Sequence, residues 1–238
     1  MNIKRASNLW QDVGQTVCDY PDGVVAVPEP VSGTAFFPGG LGLWMGDNSI
    51  TDVPKPIMIV GQDFNSVRTY QRIRAKGSEV GTSPTWRNLL TILGAANISP
   101  DSCFFTNVYM GLRSSGPETG LFPGSRDSTF VNQCMWSLAK QIEMVRPQVI
   151  VTLGLEPLRV LAKRFFDFQP PKRISDCDQI YAALRLPHGP VSLVALTHPS
   201  LYYSNVRRRR YAGSTGVQAE VLMLKSVLTA TARSAVDA

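Results

Sequence analysis

Four short apolar runs, separated by segments with helical spacing, constrain the fold of this 238-residue chain more than any other feature. Runs of this length with a β-branched bias favour buried strands. Because strands that alternate with helices form parallel sheets, the sequence predicts a three-layer α/β/α fold around a central four-stranded, mainly parallel sheet. The predicted strands span residues 56–60, 103–108, 148–153 and 191–196.

The segments between and after these runs carry recognisable helix signals. In "SPTWRNLLTILGAAN", Ser83 is a predicted N-cap and Pro84 occupies the first helical position. A second helix, in "DSTFVNQCMWSLAKQIEMVRP", is expected to stop at Pro147. Two further helices are predicted in "EPLRVLAKRFF" and "VQAEVLMLKSVLTATARSA".

Composition limits the domain organisation and the compartment. With 44% hydrophobic residues, we expect a single domain over residues 1–238, in which the Gly- and Pro-rich residues 1–52 form an irregular extension packed on it. The apolar runs are far too short to cross a membrane, and the N-terminus has no stretch of signal-peptide length, so we expect a cytoplasmic protein. None of the 4 cysteines belongs to a C-x-x-C pair, so neither a zinc site nor an iron–sulfur cluster is expected.

The formal net charge of +6 is distributed unevenly. Residues 151–238 carry 12 basic and 6 acidic side chains, and consecutive arginines stand in "VRRRRY". Basic clusters attract phosphate backbones, although a solvated run of surface charge gives the same composition. Composition alone leaves both interpretations open.

Three of the predicted strands end on polar residues that are unusual for a buried strand. "GQDFNS" places Asp63 after the first strand, "CFFTNVY" ends on Asn107, and "LTHPSLYYSN" places His198 after the last strand. Ligand groups in open α/β sheets stand at the carboxyl ends of the strands, so these side chains are predicted to meet at one edge of the sheet. A helix cap, a turn and a loop histidine are the local structural alternatives.

Together these segments resemble the uracil-DNA glycosylase superfamily. The family motif Gly-Gln-Asp-Pro-Tyr-His is written "GQDFNS" here, and "FFTNVY" resembles the Asn-bearing strand of the family. "RPQVIVTLGLEPLRVL" resembles its Pro-x-x-Ile-x-x-Leu-Gly segment, and "THPSLYYSNVRRRRY" resembles its His-Pro-Ser loop. The order and the spacing agree from Pro56 to Tyr211, about two-thirds of the chain.

The resemblance implies a monofunctional DNA glycosylase that flips out a base, hydrolyses its N-glycosidic bond and leaves an abasic site. It implies that Asp63 stabilises the cationic sugar and orients a water, and that His198 donates to the oxygen of the leaving base. Asn107 is expected to read the Watson–Crick edge, because an amide offers a donor beside an acceptor. No cofactor is expected, and the implied partner is DNA, bound by a monomer. The other residues that the resemblance places at the base are Gln62, Phe64 and Asn65.

The resemblance also predicts a DNA-binding surface. The loop after His198 is expected to wedge a side chain into the duplex, and Tyr202 is nearest to the wedge position of the family. Serine hydroxyls and arginines are expected to hold the phosphates. The predicted DNA-contacting residues are Ser66, Ser83, Ser200, Leu201, Tyr202, Tyr203, Arg207, Arg208, Arg209 and Arg210.

Departures from the family motif affect the predicted substrate. Phe64, Asn65 and Ser66 stand where the family has proline, tyrosine and histidine. Because Asn65 replaces the ring that excludes a 5-methyl group, the predicted substrate is uracil or a 5-modified pyrimidine, in DNA repair or in defence against phage with modified DNA. Glu79 stands where one branch of the family has a stacking phenylalanine, which leaves Phe64 or Trp86 as alternatives, although Trp86 also fits a core position.

Two other functions remain open from the sequence. A DNA-binding protein that keeps the fold but has weak or no catalysis is favoured by the loss of the family's tyrosine and histidine. A phosphate-ester hydrolase would need a cluster of carboxylates for a metal, and the sequence has none around Asp63.

The Gly- and Pro-rich loop of residues 110–126 is long enough to be functional, as a wall of the pocket or as a reader of flanking DNA.

Overall fold

The computed structural model describes residues 13–29, 36, 55–77, 79, 83–166, 168–181, 185–186, 189–201 and 205–236. The chain divides into two compact units. The first unit comprises Met1–Pro54, Gly61–Val80 and Phe104–Val145, and the second comprises Lys55–Val60, Gly81–Cys103 and Arg146–Ala238.

The predicted strands form one four-stranded parallel sheet, which confirms the predicted α/β fold. The strands are β2 (Ile57–Gly61), β3 (Cys103–Asn107), β5 (Val149–Leu153) and β8 (Ser192–Leu196), in the order β3-β2-β5-β8. Val60 pairs with Thr152 and Leu153 pairs with Leu196, so β2, β5 and β8 end at the same edge. Every residue of β2 and β5 is buried, which accounts for their continuous apolar sequence.

The helices begin and end near their predicted limits, with one addition. The main helices are α1 (Val67–Lys76), α2 (Pro84–Ala95), α3 (Ser128–Val145), α4 (Leu155–Leu161) with a π-helical turn over Ala162–Phe166, and α5 (Gly216–Val236), and residues 13–16 form one further helical turn. Ser83 caps α2 and accepts the Trp86 N–H, and Pro84 is the first helical residue, as predicted. The additional helix is α1, which Ser66 caps and which Gly77 ends with a φ of 66°.

Among the described residues, three pairs of short antiparallel strands lie in the loops: β1 (Val24–Val25) with β4 (Leu112–Arg113), β6 (Arg185–Leu186) with β7 (Gly189–Pro190), and β9 (Arg210–Tyr211) with β10 (Ser214–Thr215). The pairing of β1 with β4 connects residues of the N-terminal segment to the loop after β3 within the first unit. The hairpin of β9 and β10 turns through Ala212 and Gly213, whose φ values of 47° and 80° suit a tight hairpin.

Aromatic rings and a buried thiol form the core of the first unit. Tyr109 stacks on Phe122 with ring centroids 5.1 Å apart, and the Phe122 and Phe130 centroids lie 6.0 Å apart. The Cys134 Sγ atom accepts the Met110 N–H, and burial raises the pKa of this thiol to about 12. Cys134 therefore packs as an apolar side chain.

A buried ion pair between Arg209 and Glu220 lies in the second unit. The Arg209 Nε atom is 3.1 Å from Glu220 Oε1, and the two side chains are 1% and 0% exposed. The guanidinium also donates to the carbonyl oxygens of Ile174, Cys177 and Ala195. The prediction that Arg209 contacts DNA is therefore wrong, because its donors are used inside the core. The arginines of the same run that are exposed are Arg207, Arg208 and Arg210.

We expect Arg209→Ala to lower the free energy of unfolding by about 3–5 kcal/mol, because it leaves the Glu220 carboxylate buried without its cation. Arg208→Ala is the matched control, since it removes an exposed arginine from the same run and should change stability by less than about 0.5 kcal/mol. Urea denaturation followed by circular dichroism measures both changes. Equal losses of stability in the two variants would contradict the structural role of Arg209.

Candidate active site

In the first unit, the segment that follows β2 is held along the segment that follows β3. Gln62 O accepts the Tyr109 N–H at 2.9 Å, and Asn65 O accepts the Arg113 N–H at 2.8 Å. These backbone hydrogen bonds lie outside the regular sheet, and they continue its pairing past the strand ends. The backbone alone therefore positions the "GQDFNS" motif, independently of its side-chain contacts.

Both oxygens of the Asp63 carboxylate accept hydrogen bonds. Its Oδ1 atom accepts the Asn65 N–H at 2.8 Å, and its Oδ2 atom lies 2.9 Å from Arg113 Nη2. Burial raises the pKa of Asp63, whereas the Arg113 guanidinium and the Asn65 N–H both act to lower it. The carboxylate is thus oriented, and the two contacts offset part of the effect of burial on its pKa.

Arg113 is a buried residue of the site that the sequence analysis missed. Its side chain is 3% exposed and lies over the Phe122 ring, with the guanidinium carbon 5.4 Å from the ring centroid. It donates to the carbonyl oxygens of Pro117, Gly120 and Leu121, at 3.3, 2.9 and 3.2 Å. No local motif marks this arginine, because its carboxylate partner lies 50 positions earlier in the chain.

Asn107 lies beside the end of β2, as the sequence predicts for this edge of the sheet. It is 2% exposed, and a Cβ atom placed on Gly61 would be only 2.3 Å from its Oδ1 atom. Gly61 is therefore required for space. The buried Nδ2 atom of Asn107 has no hydrogen-bond partner among the described residues. An unpaired buried donor is costly, so it is suited to an acceptor that a ligand brings.

Other predicted residues of the motif have partners within the first unit. Gln62 Nε2 donates to Gly120 O at 2.9 Å. Asn65 has a φ of 70°, and its Oδ1 atom accepts the Ser66 N–H at 2.8 Å. Phe64 is 7% exposed. Their contacts with a base stay predictions.

Ser66 has a structural role in addition to the predicted contact with a phosphate. Its Oγ atom accepts the Thr69 N–H at 3.1 Å and donates to Glu118 Oε1 at 2.6 Å. The Thr69 hydroxyl donates to the same carboxylate oxygen at 2.9 Å. These two hydroxyl donors lower the pKa of Glu118. The Ser66 hydroxyl therefore already binds an anionic oxygen from its own chain.

In the second unit, His198 follows β8 and its tautomer is set by Ser200. The His198 Nδ1 atom accepts the Ser200 N–H at 3.3 Å and lies 2.8 Å from Ser200 Oγ. A backbone N–H can only donate, so the neutral ring carries its hydrogen on Nε2. Burial lowers the pKa of His198, which favours this neutral form. Asn88, which the sequence analysis missed, steadies the loop by donating to Pro199 O at 2.8 Å.

Of the remaining predicted residues, Ser83 and Trp86 have structural roles, and the wedge residues are not described. Ser83 caps α2, where its hydroxyl accepts the Trp86 N–H at 3.5 Å. Trp86 is 3% exposed and belongs to the core. The predicted wedge residues Tyr202 and Tyr203, and the side chain of Leu201, lie outside the described residues.

A family model of the uracil DNA glycosylase superfamily matches residues 50–214, which include Asp63, Asn107 and His198. The chain belongs to the uracil DNA glycosylase superfamily. The resemblance seen in the four motifs is thereby confirmed. No curated protein matches the chain in sequence.

Members of this superfamily act on DNA, so the coarse partner prediction is also confirmed. Across the residues that the structure describes, no group of three or more His, Cys, Asp or Glu side chains could hold a metal ion. Within those same ranges, no helix is long and apolar enough to cross a membrane.

We expect Gly61→Ala to displace the Asn107 amide, because the added methyl group would stand 2.3 Å from its Oδ1 atom. In a uracil DNA glycosylase domain, misplacing such a group by about 1 Å should lower the rate of base excision by ~100-fold. The measurement is a single-turnover excision rate, paired with the free energy of unfolding.

Gly94→Ala is the matched control for Gly61→Ala. Gly94 lies within α2, and a methyl group added there would have nothing within 4 Å, so alanine should stabilise the helix by up to about 1 kcal/mol and leave the rate unchanged. A Gly61→Ala variant with the wild-type rate would show that Asn107 does not act through its present position.

Proposed function

We propose that this protein is a monofunctional DNA glycosylase that flips a base out of DNA, hydrolyses its N-glycosidic bond and leaves an abasic site. The proposed substrate is uracil or a 5-modified pyrimidine, and the proposed role is DNA repair or defence against phage with modified DNA. The observation that carries the proposal is the oriented Asp63 carboxylate, which follows β2 in a uracil DNA glycosylase domain.

Asp63 supplies the charge that the reaction requires. As the glycosidic bond breaks, the sugar becomes oxocarbenium-like and the base leaves as an anion. An ionised Asp63 stabilises that cation and orients the attacking water. Because the Asn65 N–H and Arg113 already hold the carboxylate, little reorganisation is needed when the charge develops.

His198 supplies a hydrogen bond to the leaving base. The contact from the Ser200 N–H supports a neutral ring whose Nε2 atom is the donor. A neutral N–H stabilises the developing negative charge on a base oxygen, and it does so without a proton transfer. The depressed pKa of His198 keeps this form dominant at neutral pH.

Asn107 supplies recognition of the base. Its buried Nδ2 atom has no partner among the residues that the structure describes, so a carbonyl oxygen of a flipped pyrimidine would satisfy it. An unsatisfied buried donor costs about 1–3 kcal/mol, and a base without the matching acceptor would leave that cost in place. This difference in free energy supports a role in selecting the base.

The basic run supplies contacts with the DNA backbone. Arg207, Arg208 and Arg210 are exposed and available for phosphates, whereas Arg209 is not. Ser200 is exposed next to His198, which supports its proposed phosphate contact. The wedge at Leu201, Tyr202 and Tyr203 remains part of the proposal.

A DNA panel tests the function directly. Duplex and single-stranded oligonucleotides that carry uracil, thymine, cytosine or 5-substituted pyrimidines are incubated with the protein, and alkali then reveals abasic sites. We expect cleavage of at least one of these substrates, and we expect Asp63→Asn to lower its rate by ~100-fold or more while DNA binding persists. Cleavage by Asp63→Asn at the wild-type rate would remove Asp63 from the mechanism.

A DNA-binding protein without turnover is the second candidate, and one observation favours it. Arg113 neutralises Asp63, while Gln62 and Ser66 donate to the loop after β4 instead of standing free for a ligand. Salt-dependent binding to the DNA panel, without abasic sites on any member, would support this candidate against the glycosylase.

Asn65 determines the proposed tolerance at the 5-position of the base. We expect Asn65→Tyr to shift the rate ratio towards uracil over a 5-substituted pyrimidine by about tenfold or more, because a ring restores the steric wall. The φ of 70° at this position adds a strain of about 1–2 kcal/mol for tyrosine.

Asn65→Gly separates the steric wall from the backbone strain. Glycine adopts a positive φ freely and removes the side chain, so this variant should keep the 5-substituted substrate. If both variants leave the substrate ratio unchanged, Asn65 does not face the 5-position.

A further inference from the structure

Both the backbone and the side chain of Arg113 are fixed by hydrogen bonds. Its backbone lies in β4, where it pairs with Val24 of β1, and its N–H donates to Asn65 O. Its guanidinium then connects the Asp63 carboxylate to carbonyl oxygens of the 117–121 segment. Backbone and side chain together fix one cation against one carboxylate.

We propose that Arg113 is a positioning residue for the excision reaction, which keeps Asp63 ionised and in one orientation. This inference rests on the proposed glycosylase function and deepens it. The 117–121 segment is part of the 110–126 loop, for which the sequence predicts a pocket wall or a reader of flanking DNA, and its carbonyl oxygens also accept hydrogen bonds from the guanidinium.

The need for such a residue follows from burial. The Asp63 side chain is only 9% exposed, and a buried carboxyl group tends to take up a proton. A protonated Asp63 has no charge with which to stabilise a cationic sugar. Arg113 opposes this protonation because it places a cation 2.9 Å from the carboxylate.

Other charged groups near the motif do not replace Arg113. On α1, Arg68 and Arg72 act on Glu118, which in turn accepts hydrogen bonds from Ser66 and Thr69. The second contact of Asp63 is a neutral backbone N–H. Among the described residues of the first unit, Arg113 is therefore the cation that contacts the carboxylate.

The proposal has a signature that a purely structural role lacks. At high pH Asp63 is ionised with or without Arg113, so the rate should depend little on the arginine charge. At low pH only the compensated carboxylate stays ionised, so the loss of rate should be concentrated there. A residue that merely supports the fold would lower the rate equally across the pH range.

The test compares Arg113→Gln, Arg113→Lys and the control Lys76→Gln, which removes an exposed cation of the same unit. Single-turnover rates are measured across pH on the substrate that the DNA panel identifies. For Arg113→Gln, we expect the ratio of the rate at about pH 8.5 to that at about pH 5.5 to rise by about tenfold or more. Arg113→Lys keeps the charge, so its ratio should stay near that of the wild type, as should that of Lys76→Gln. Identical pH profiles for the Gln and Lys variants would overturn the proposal.

A second measurement does not depend on activity. The Asp63 carboxyl carbon is titrated by NMR in the wild type and in Arg113→Gln, with Asp63→Asn to assign the signal. We expect the titration to move to higher pH in Arg113→Gln. If it moves while no substrate is cleaved, the glycosylase proposal fails and the positioning of Asp63 stands. If substrate is cleaved but the titration does not move, the role of Arg113 is refuted.

Folding of the variants gives a further check. If Arg113→Gln does not fold, adding Asp63→Asn should restore folding, because the uncompensated carboxylate is then absent. Failure of the double variant to fold would assign Arg113 to the fold alone and overturn the inference.

Discussion

The contact between the Asp63 carboxylate and the Arg113 guanidinium is the interaction on which the site of the first unit depends. A carboxylate with a side chain only 9% exposed needs compensation, and a guanidinium that is 3% exposed needs acceptors of its own. Carbonyl oxygens of the 117–121 segment provide those acceptors. This requirement fits the glycines of the loop, because Gly116 and Gly120 have φ values of 81° and 88° and let the backbone turn its carbonyls inwards.

The second unit sets the protonation state of its candidate group in the opposite way. In the proposed reaction Asp63 acts as an anion and has a cation beside it, whereas His198 acts as a neutral donor and has no cation among its hydrogen-bond partners in the described residues. Burial lowers the pKa of His198, and the Ser200 N–H selects the tautomer. Similar desolvation therefore gives a compensated acid in one unit and an uncharged donor in the other, which is how pairs of catalytic groups acquire different roles.

Much of the fold could be predicted because its signals are local in the sequence. The apolar runs became β2, β3, β5 and β8, and the Ser83–Pro84 pair began α2 as its capping pattern requires. The polar strand ends also indicated the superfamily, since the motif around Asp63 and the strand before Asn107 keep their order and spacing. The α1 helix was missed although Ser66 and Gly77 bracket it, because its apolar stripe is too weak to be recognised beside its many polar residues.

The states of the charged side chains could not be predicted, because they depend on partners that are distant in the sequence. The arginine run looks uniform, yet Arg209 points into the core towards Glu220 while Arg208 is exposed. Charge counting therefore overstates the cationic surface by one arginine of the run. The same limitation applies to Asp63, whose motif names the carboxylate but not the arginine 50 positions later that compensates it. A motif identifies a candidate reacting group, whereas the charge of that group depends on the tertiary structure, which for Asp63 means its burial and the opposing contacts from Arg113 and the Asn65 N–H.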